Sequence, residues 1–245
     1  MKSRTMMSTL TNMNKIDDPR ILRGMQKQAK LRQARLNTGE KLIGWKVGFG
    51  APAALERLKL KAPLIGFLTD KTVLDSGGSI SIHGWVKVAA EPEIAVYVDR
   101  DLPGSSNREG TKAAIAALGP AIELADISFP PDDVELILAG NIYNRHVILG
   151  HADTSRADCL LDGLTGRVYR SGGEVVSTSD PQALTGDIID IVSNVANTLA
   201  SLGETLRAGE VIITGSIVPP LWVEPNEEIT YRLEPIDTIS ISTRG

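Results

Sequence analysis

The sequence predicts an α+β fold, a β-rich core with a few helices at its periphery. Three observations carry that prediction. Apolar runs bounded by Gly, Pro and Asp recur along the chain, some strictly alternating and some continuous, which is the pattern of short strands. One segment, "DIIDIVSNVANTLASLG", holds Ile188, Ile191, Val192, Val195, Leu199 and Leu202 at three-and-four spacing and stops at Gly203, the pattern of an amphipathic helix. The C-terminus, "AGEVIITGSIV" and "EITYRLEPIDTISIST", returns to short strands. With no fixed-period repeat, low-complexity tract or long linker, residues 1–39 read as a helical arm and residues 40–245 as one compact body.

Each element follows in order. "DPRILRGMQKQAKLRQARLN" is a helix opened by Asp18-Pro19 and closed near Gly39, and its many charges suggest a solvent-facing helix. "KLIGWKVGFG" alternates Ile43, Trp45, Val47 and Phe49 with Gly44, Lys46, Gly48 and Gly50, as a strand does. "APAALERLKL" reads as a short helix, and "PLIGFLTDKTVLDSGGSISI" as short strands broken at Asp75 to Gly78. The strand "VAAEPEIAVYV" is followed by a helix over 109–118 that Gly119-Pro120 should end, and then by the strand "AIELADISF". "PPDDVELILAGNIYNRHVILG" begins helical or irregular and becomes extended, and "GRVYRSGGEVVSTSDP" outlines a hairpin turning at Ser171 to Gly173.

Composition narrows the function. Hydrophobic residues make up 42% and charged residues 23% of 245, an ordinary globular balance. The net charge is −4 and the 26 basic residues are spread rather than blocked, so no nucleic-acid or anionic-membrane footprint exists. One cysteine, Cys159, excludes an internal disulfide and a thiolate zinc site, and it reads as a buried hydrophobe. "MKSRTMMSTLTNMN" lacks a continuous apolar core for a secretory signal, and no run reaches the ~18 apolar residues of a membrane span. A cytoplasmic protein is expected.

Chemistry gathers around three acids. On a strand, Glu91 and Glu93 project from one face while Ile94, Val96 and Val98 serve the core, and Pro92 marks a strand end, edge or bulge. Glu123 stands in a second apolar strand, flanked on its own face by Ala121 and Ala125. Glu-x-Glu at a strand entrance is more often a solvated face or a salt-bridge partner. Three acids in apolar strands call for neutralisation, however, and oxygen donors favour magnesium or manganese over zinc. Lys46, on a face cleared by Gly44 and Gly48, adds a cation that a ligand can approach. His83, His146 and His151 lack zinc-helix spacing, and neither a G-x-S-x-G elbow nor a phosphate-cradling glycine loop occurs.

The ordered motifs "GWKVGFG", "GFLTD", "EPEIAVYV", "PAIELAD", "AGNIYNRHVILG", "GEVV" and "VANTLASLGETLRAGEVIITGS" resemble the hydratase/decarboxylase branch of the fumarylacetoacetate hydrolase superfamily. The resemblance runs from about residue 40 to the C-terminus and covers the 2-keto-4-pentenoate hydratases and 4-oxalocrotonate decarboxylases of aromatic catabolism. It implies a mixed, strongly bent β-roll as the catalytic domain and homo-oligomers built from dimers. It also implies a Mg²⁺ or Mn²⁺ ion on Glu91, Glu93 and Glu123, Lys46 as the active-site lysine, and Thr214, Gly215 and Ser216 at the substrate end of the pocket.

Asp126 falls where decarboxylases carry Asp and is a catalytic candidate, while Asn141-Ile142-Tyr143-Asn144 replaces the usual Asn-Ala-Ser-Ser segment, making Asn141, Tyr143 and Asn144 substrate-binding candidates. Leu64, where hydratases tend to have an acid, is closer to decarboxylase wording, yet Ala89 and Ser128 stand where decarboxylases have basic residues. These departures suggest a rebuilt pocket and a substrate with an apolar or aromatic far end. The implied activity is a lyase acting on an unsaturated 2-oxo acid, hydratase first and decarboxylase second. An acylpyruvate-type carbon-carbon hydrolase and a catalytically idle subunit bound to a pathway partner are the alternatives. A chelating 2-oxo acid would be polarised by the cation toward an enolate. Lys46 would then exchange protons with the chain or anchor the carboxylate, its charged form disfavoured by enclosure beside the cation.

Overall fold

The computed structural model describes residues 16–245. The reading of residues 1–14 as lacking a secretory segment therefore lies outside the described residues, as do the first fifteen positions of the helical arm. No helix among the described residues is long and apolar enough to cross a membrane.

The elements are α1 (Pro19–Asn37), β1 (Leu42–Gly48), α2 (Pro52–Leu58), β2 (Leu64–Thr69), β3 (Val73–Leu74), β4 (Gly78–Ser81), β5 (Val88–Val98), α3 (Arg108–Ala113) and β6 (Ile115–Asp126). They continue with α4 (Val134–Ala139), β7 (Asn144–Leu149), β8 (Thr165–Arg170), β9 (Gly173–Thr178), α5 (Ile188–Ser201), β10 (Val211–Ser216), β11 (Leu221–Trp222), β12 (Glu228–Glu234) and β13 (Asp237–Arg244). An 8-stranded sheet runs β2-β1-β10-β5-β6-β7-β3, with β11 also on β5, and a 5-stranded sheet runs β4-β13-β12-β8-β9. Both mix parallel and antiparallel pairs, β1 lying parallel to β10 and β13 parallel to β4. The principal core joins the two sheets and α5, through Trp45, Ile94, Ile122, Val192, Leu199 and Tyr231 among others.

Two elements depart from expectation. The helix expected over 109–118 ends at Ala113, and β6 runs on through Gly119 and Pro120. Antiparallel pairing with β5, from Ile115 opposite Val98, across one register shift at Tyr97/Val98, to Asp126 opposite Val88, outweighs the helix propensity of an Ala-rich segment. Nor is α1 simply solvent-facing. It opens at Asp18, whose carboxylate accepts the Arg20 N–H at 2.9 Å, and it buries Gly24, Met25 and Gln28. The Gln28 amide donates to the carbonyls of Ile65 and Leu138, each at 3.0 Å, while Arg23 and Lys27 pair with Glu135 of α4. Helix α1 is thus fastened to β2 and α4.

Candidate metal centre and its cavity

The β5/β6 register sets Glu91 opposite Glu123 and Glu93 opposite Ala121. Like charges directly across a ladder repel, and here the surrounding positions on that face are small: Ala95, Ala121 and Ala125. The hollow they leave lets one oxygen from each of Glu91, Glu93 and Glu123 lie within 4.8 Å of the others. Glu93 and Glu123 are fully buried, and Glu91 is half-buried at the wall of a cavity.

Lys46 comes from β1 and is 1% exposed, so it is no edge-strand surface lysine. Its cross-strand partner is Gly66, where a Cβ would stand 2.8 Å from Lys46 Cγ and from Asn141 Oδ1. Only glycine leaves that lane open. The ammonium lies 2.6 Å from each Glu123 oxygen. Hydrogen-bond geometry is met at Oε1, so Oε2 has an ionic contact but no hydrogen bond. The ammonium also donates to the Ile142 carbonyl at 3.1 Å.

That carbonyl is presented by unusual backbone. Asn141, Ile142 and Tyr143 have φ of 54°, 51° and 62°, a left-handed run that is costly for a β-branched residue such as Ile142. Asn141 holds it in place, its carboxamide oxygen accepting from Phe67 N–H at 2.8 Å and its NH₂ donating to Phe67 O at 2.9 Å. Asn144 then donates to Glu123 Oε1 at 2.8 Å. On the other flank the β10 register shifts between Ile213 and Ser216. Gly215, at φ +95°, turns its N–H onto Glu93 Oε2 at 2.7 Å. The Thr214 hydroxyl donates to Ile94 O and the Ser216 hydroxyl to Val218 O.

Burial, reinforced by the Glu123 charge and opposed by Lys46, pushes Glu91 up to about 7. Burial followed by the charges of Glu123 and Glu91 holds Glu93 well above the ordinary carboxyl range, against Lys46 and the Gly215 N–H. For Lys46 burial disfavours the ammonium, but Glu123, Glu91 and Glu93 outweigh it and raise its pKa above the usual lysine value. The expectation of a disfavoured ammonium is thus reversed for the ion-free protein, because three carboxylates face it.

Buried oxygens of Glu93 (Oε1), Glu123 (Oε2) and Asn144 (Oδ1) have no hydrogen-bond partner. Unsatisfied buried acceptors of this kind are rare and expensive. A donor set of carboxylate oxygens, with Glu93 Oε1 unpartnered and Glu123 Oε2 in ionic contact only, fits a hard divalent cation.

The cavity beside the acids has a volume of about 250 Å³, and Lys46, Glu91, Tyr143, Thr214, Gly215 and Ser216 line it. A larger cavity of about 620 Å³, between the start of α1 and the second half of α5, holds Leu64 and none of these groups, so size alone does not mark the chemistry. Five expected site residues do not line the smaller cavity: the fully buried Glu93 and Glu123, and Asn141, Asn144 and Asp126. Asn141 spends its carboxamide on Phe67, and Asn144 turns its amide to Glu123. Asp126 accepts the N–H groups of Val86 and Lys87 and pairs with Arg145 at 2.9 Å. Both of its oxygens thus have partners at the end of β6. Sequence reasoning missed the Ile142 carbonyl, whose role depends on backbone conformation, and Arg57 of α2, which lines the cavity. His146 lies elsewhere, stacked on Trp85 with ring centroids 6.0 Å apart. Cys159 is only half-buried, and burial pushes its thiol up to about 11.

The sequence profile of the fumarylacetoacetate (FAA) hydrolase C-terminal family matches residues 36–243. The chain belongs to the fumarylacetoacetate hydrolase family. Among the relatives of this family member, 4-oxalocrotonate decarboxylase of Pseudomonas putida is 30% identical over 87% of this chain and 81% of its own length. The 2-hydroxyhexa-2,4-dienoate hydratase of Comamonas testosteroni is 28% identical over 86% and 81%. In three dimensions the fold superimposes on 4-oxalocrotonate decarboxylase from Pseudomonas putida G7, solved with magnesium and adipate, with a TM-score of 0.83. That alignment has 25% identity and covers 91% of this chain and 86% of the other. The mixed, bent β-roll with peripheral helices expected from the sequence is the fold of this family member.

Proposed function

We propose that this family member is a Mg²⁺- or Mn²⁺-dependent lyase acting on an unsaturated 2-oxo acid, with hydration ranked ahead of decarboxylation. The observation that carries the reading is the convergence of three acids within 4.8 Å, two of them with buried oxygens that accept no hydrogen bond, beside a buried lysine at the end of a small cavity. Glu91, Glu93 and Glu123 would hold the ion. When bound, the ion supplies Lewis-acid polarisation of the substrate's 2-oxo group.

This chain's own residues supply the rest. Gly215 N–H fixes Glu93, and Asn144 fixes Glu123. Lys46 Nζ, held by Glu123 and the Ile142 carbonyl, carries a proton at the cavity floor, where it anchors the substrate carboxylate or delivers that proton to the carbon chain. Val47, Phe49, Ile142 and Val218 wall the cavity and keep water from the reacting carbons, while Thr214 and Ser216 border the substrate end.

Decarboxylation is the second reading, favoured by the similarity to 4-oxalocrotonate decarboxylase in both sequence and fold. We also infer a homo-oligomer built from dimers, a cytoplasmic location and association with an enzyme of the same pathway, on the strength of family resemblance. The test is an ultraviolet assay of 2-hydroxydienoic and 2-oxo-enedioic acids with and without EDTA, with products read by mass. Gain of water or loss of carbon dioxide, abolished by EDTA and restored by Mg²⁺ or Mn²⁺, is expected. Chain cleavage would instead establish a hydrolase, and absence of turnover with every acid would leave an idle subunit.

A further inference from the structure

Three charged residues line the cavity, namely Lys46, Glu91 and Arg57. Lys46 and Glu91 belong to the buried cluster at the floor. Arg57 is exposed and stands at the open side. It is carried on the last turn of α2, which Lys59 ends in a left-handed conformation with φ 54°. Among the described residues its guanidinium takes part in no ion pair or hydrogen bond. Most arginines of this chain are engaged, as Arg20, Arg32, Arg108 and Arg145 are with acids. The lining also includes Val47, Phe49, Ile142 and Tyr143, which carry no charge. Arg57 is close enough to Tyr143 for its charge to oppose the burial that raises the phenol.

We infer, resting on the lyase reading above, that Arg57 is the specificity-determining residue at the mouth, receiving a carboxylate at the far end of the 2-oxo acid. A substrate whose 2-oxo acid head sits on the acid cluster must send its chain along this lining, where the charged side chain beyond Lys46 and Glu91 is the Arg57 guanidinium. Guanidinium is suited to that task because its planar fork matches a carboxylate with two hydrogen bonds. The inference revises the expectation of an apolar or aromatic far end, which rested on Ala89 and Ser128 standing where basic residues were sought. The cation is supplied by another element, α2, and this could not be foreseen from positions in β5 and β6. A volume of about 250 Å³ lies below the range of drug-sized sites, so the acid is short. Exposure of Arg57 admits water and salt, which limits the discrimination to about tenfold.

The test compares 2-oxoadipate with 2-oxohexanoate, which share the head and chain length and differ only in the far carboxylate; neither is unsaturated, so neither turns over. Calorimetric titration into Mn²⁺-loaded protein should show 2-oxoadipate binding about tenfold tighter, a gap of about 1.4 kcal/mol. In Arg57→Met that ratio should fall to about one with 2-oxohexanoate affinity unchanged, in Arg57→Lys part of it should remain, and raised salt should narrow the wild-type gap. Equal affinities in the wild type, or a preference that survives Arg57→Met, would overturn the role of Arg57 while Mn²⁺ uptake leaves the lyase reading intact. Failure of the wild type to take up Mn²⁺ at all would overturn both.

Discussion

Glu123 and Asp126 lie on the same strand, both almost inaccessible, and they live in opposite electrostatic worlds. Asp126 is surrounded by donors: two backbone N–H groups on one oxygen and Arg145 on the other. Burial alone would raise its pKa, but the Lys87 N–H, the Arg145 guanidinium and the Val86 N–H carry it below the ordinary carboxyl value. Glu123 shares its hollow with two more acids and meets only Lys46 and Asn144, and one of its oxygens has no hydrogen bond. A carboxylate whose valences are filled by the fold is part of the fold. One left short of donors, in company with like charges, is kept for something that the chain itself does not provide.

The contrast is sharpest by substitution. Glu93→Gln keeps the shape and the acceptor for Gly215 N–H but removes one buried charge. Turnover should fall by about 10³ or more, the scale of losing a preorganised charge in an active site, while thermal unfolding of the ion-free protein stays level or moves upward because a group that is costly to ionise there is gone. Asp126→Ala should do the reverse. Losing its three hydrogen bonds strands the Val86 and Lys87 N–H groups and should lower stability by about 2–4 kcal/mol in urea titration, with metal uptake retained.

Glu93 and Asp126 also respond oppositely to acid. Glu91 is raised from 4.5 to about 7 and Glu93 well above 4.5, so between those values the folded ion-free protein holds more protons than the unfolded chain. Its stability should therefore decline as pH rises from about 4.5 to 7, and Mg²⁺ should reverse the decline. Asp126, with its pKa lowered, contributes the opposite sign: its stabilisation is present above the unfolded carboxyl value and disappears as pH falls through the folded one. In Glu93→Gln the decline toward neutral pH should shrink, as followed by chemical denaturation across pH. The smallest effect belongs to Arg145→Met. The Arg145 side chain is half exposed, and two N–H groups still hold Asp126, so the loss should stay within about 1 kcal/mol in the same measurement.

Much of this site was legible in the letters because strand alternation is a strong constraint. Glu91 and Glu93 had to share a face, Glu123 announced itself as an acid between alanines, and Lys46 stood among glycines. The α5 helix and the β8-β9 hairpin followed from periodicity and turn residues in the same way. What could not be read depends on contacts distant in the chain. The segment that becomes β6 has helix-forming letters and is extended because β5 lies beside it along its length. The fate of Asn141 is decided by a left-handed backbone run and by Phe67, far away in sequence. Gly66, rather than the same-strand glycines Gly44 and Gly48, proved to be the residue across the ladder that clears the lane for Lys46. The neighbours of Asp126 in space, Val86, Lys87 and Arg145, are likewise invisible in its motif.

The claim beneath all of this is that Glu91, Glu93 and Glu123 form one cation site. Calorimetric titration of Mn²⁺ into ion-free wild type and Glu93→Gln addresses it most directly. One ion per chain in the wild type, lost or weakened by orders of magnitude in the variant while Asp126→Asn binds as the wild type does, is the predicted result. Mn²⁺ binding that is equally tight in Glu93→Gln, or missing from the wild type, would contradict it.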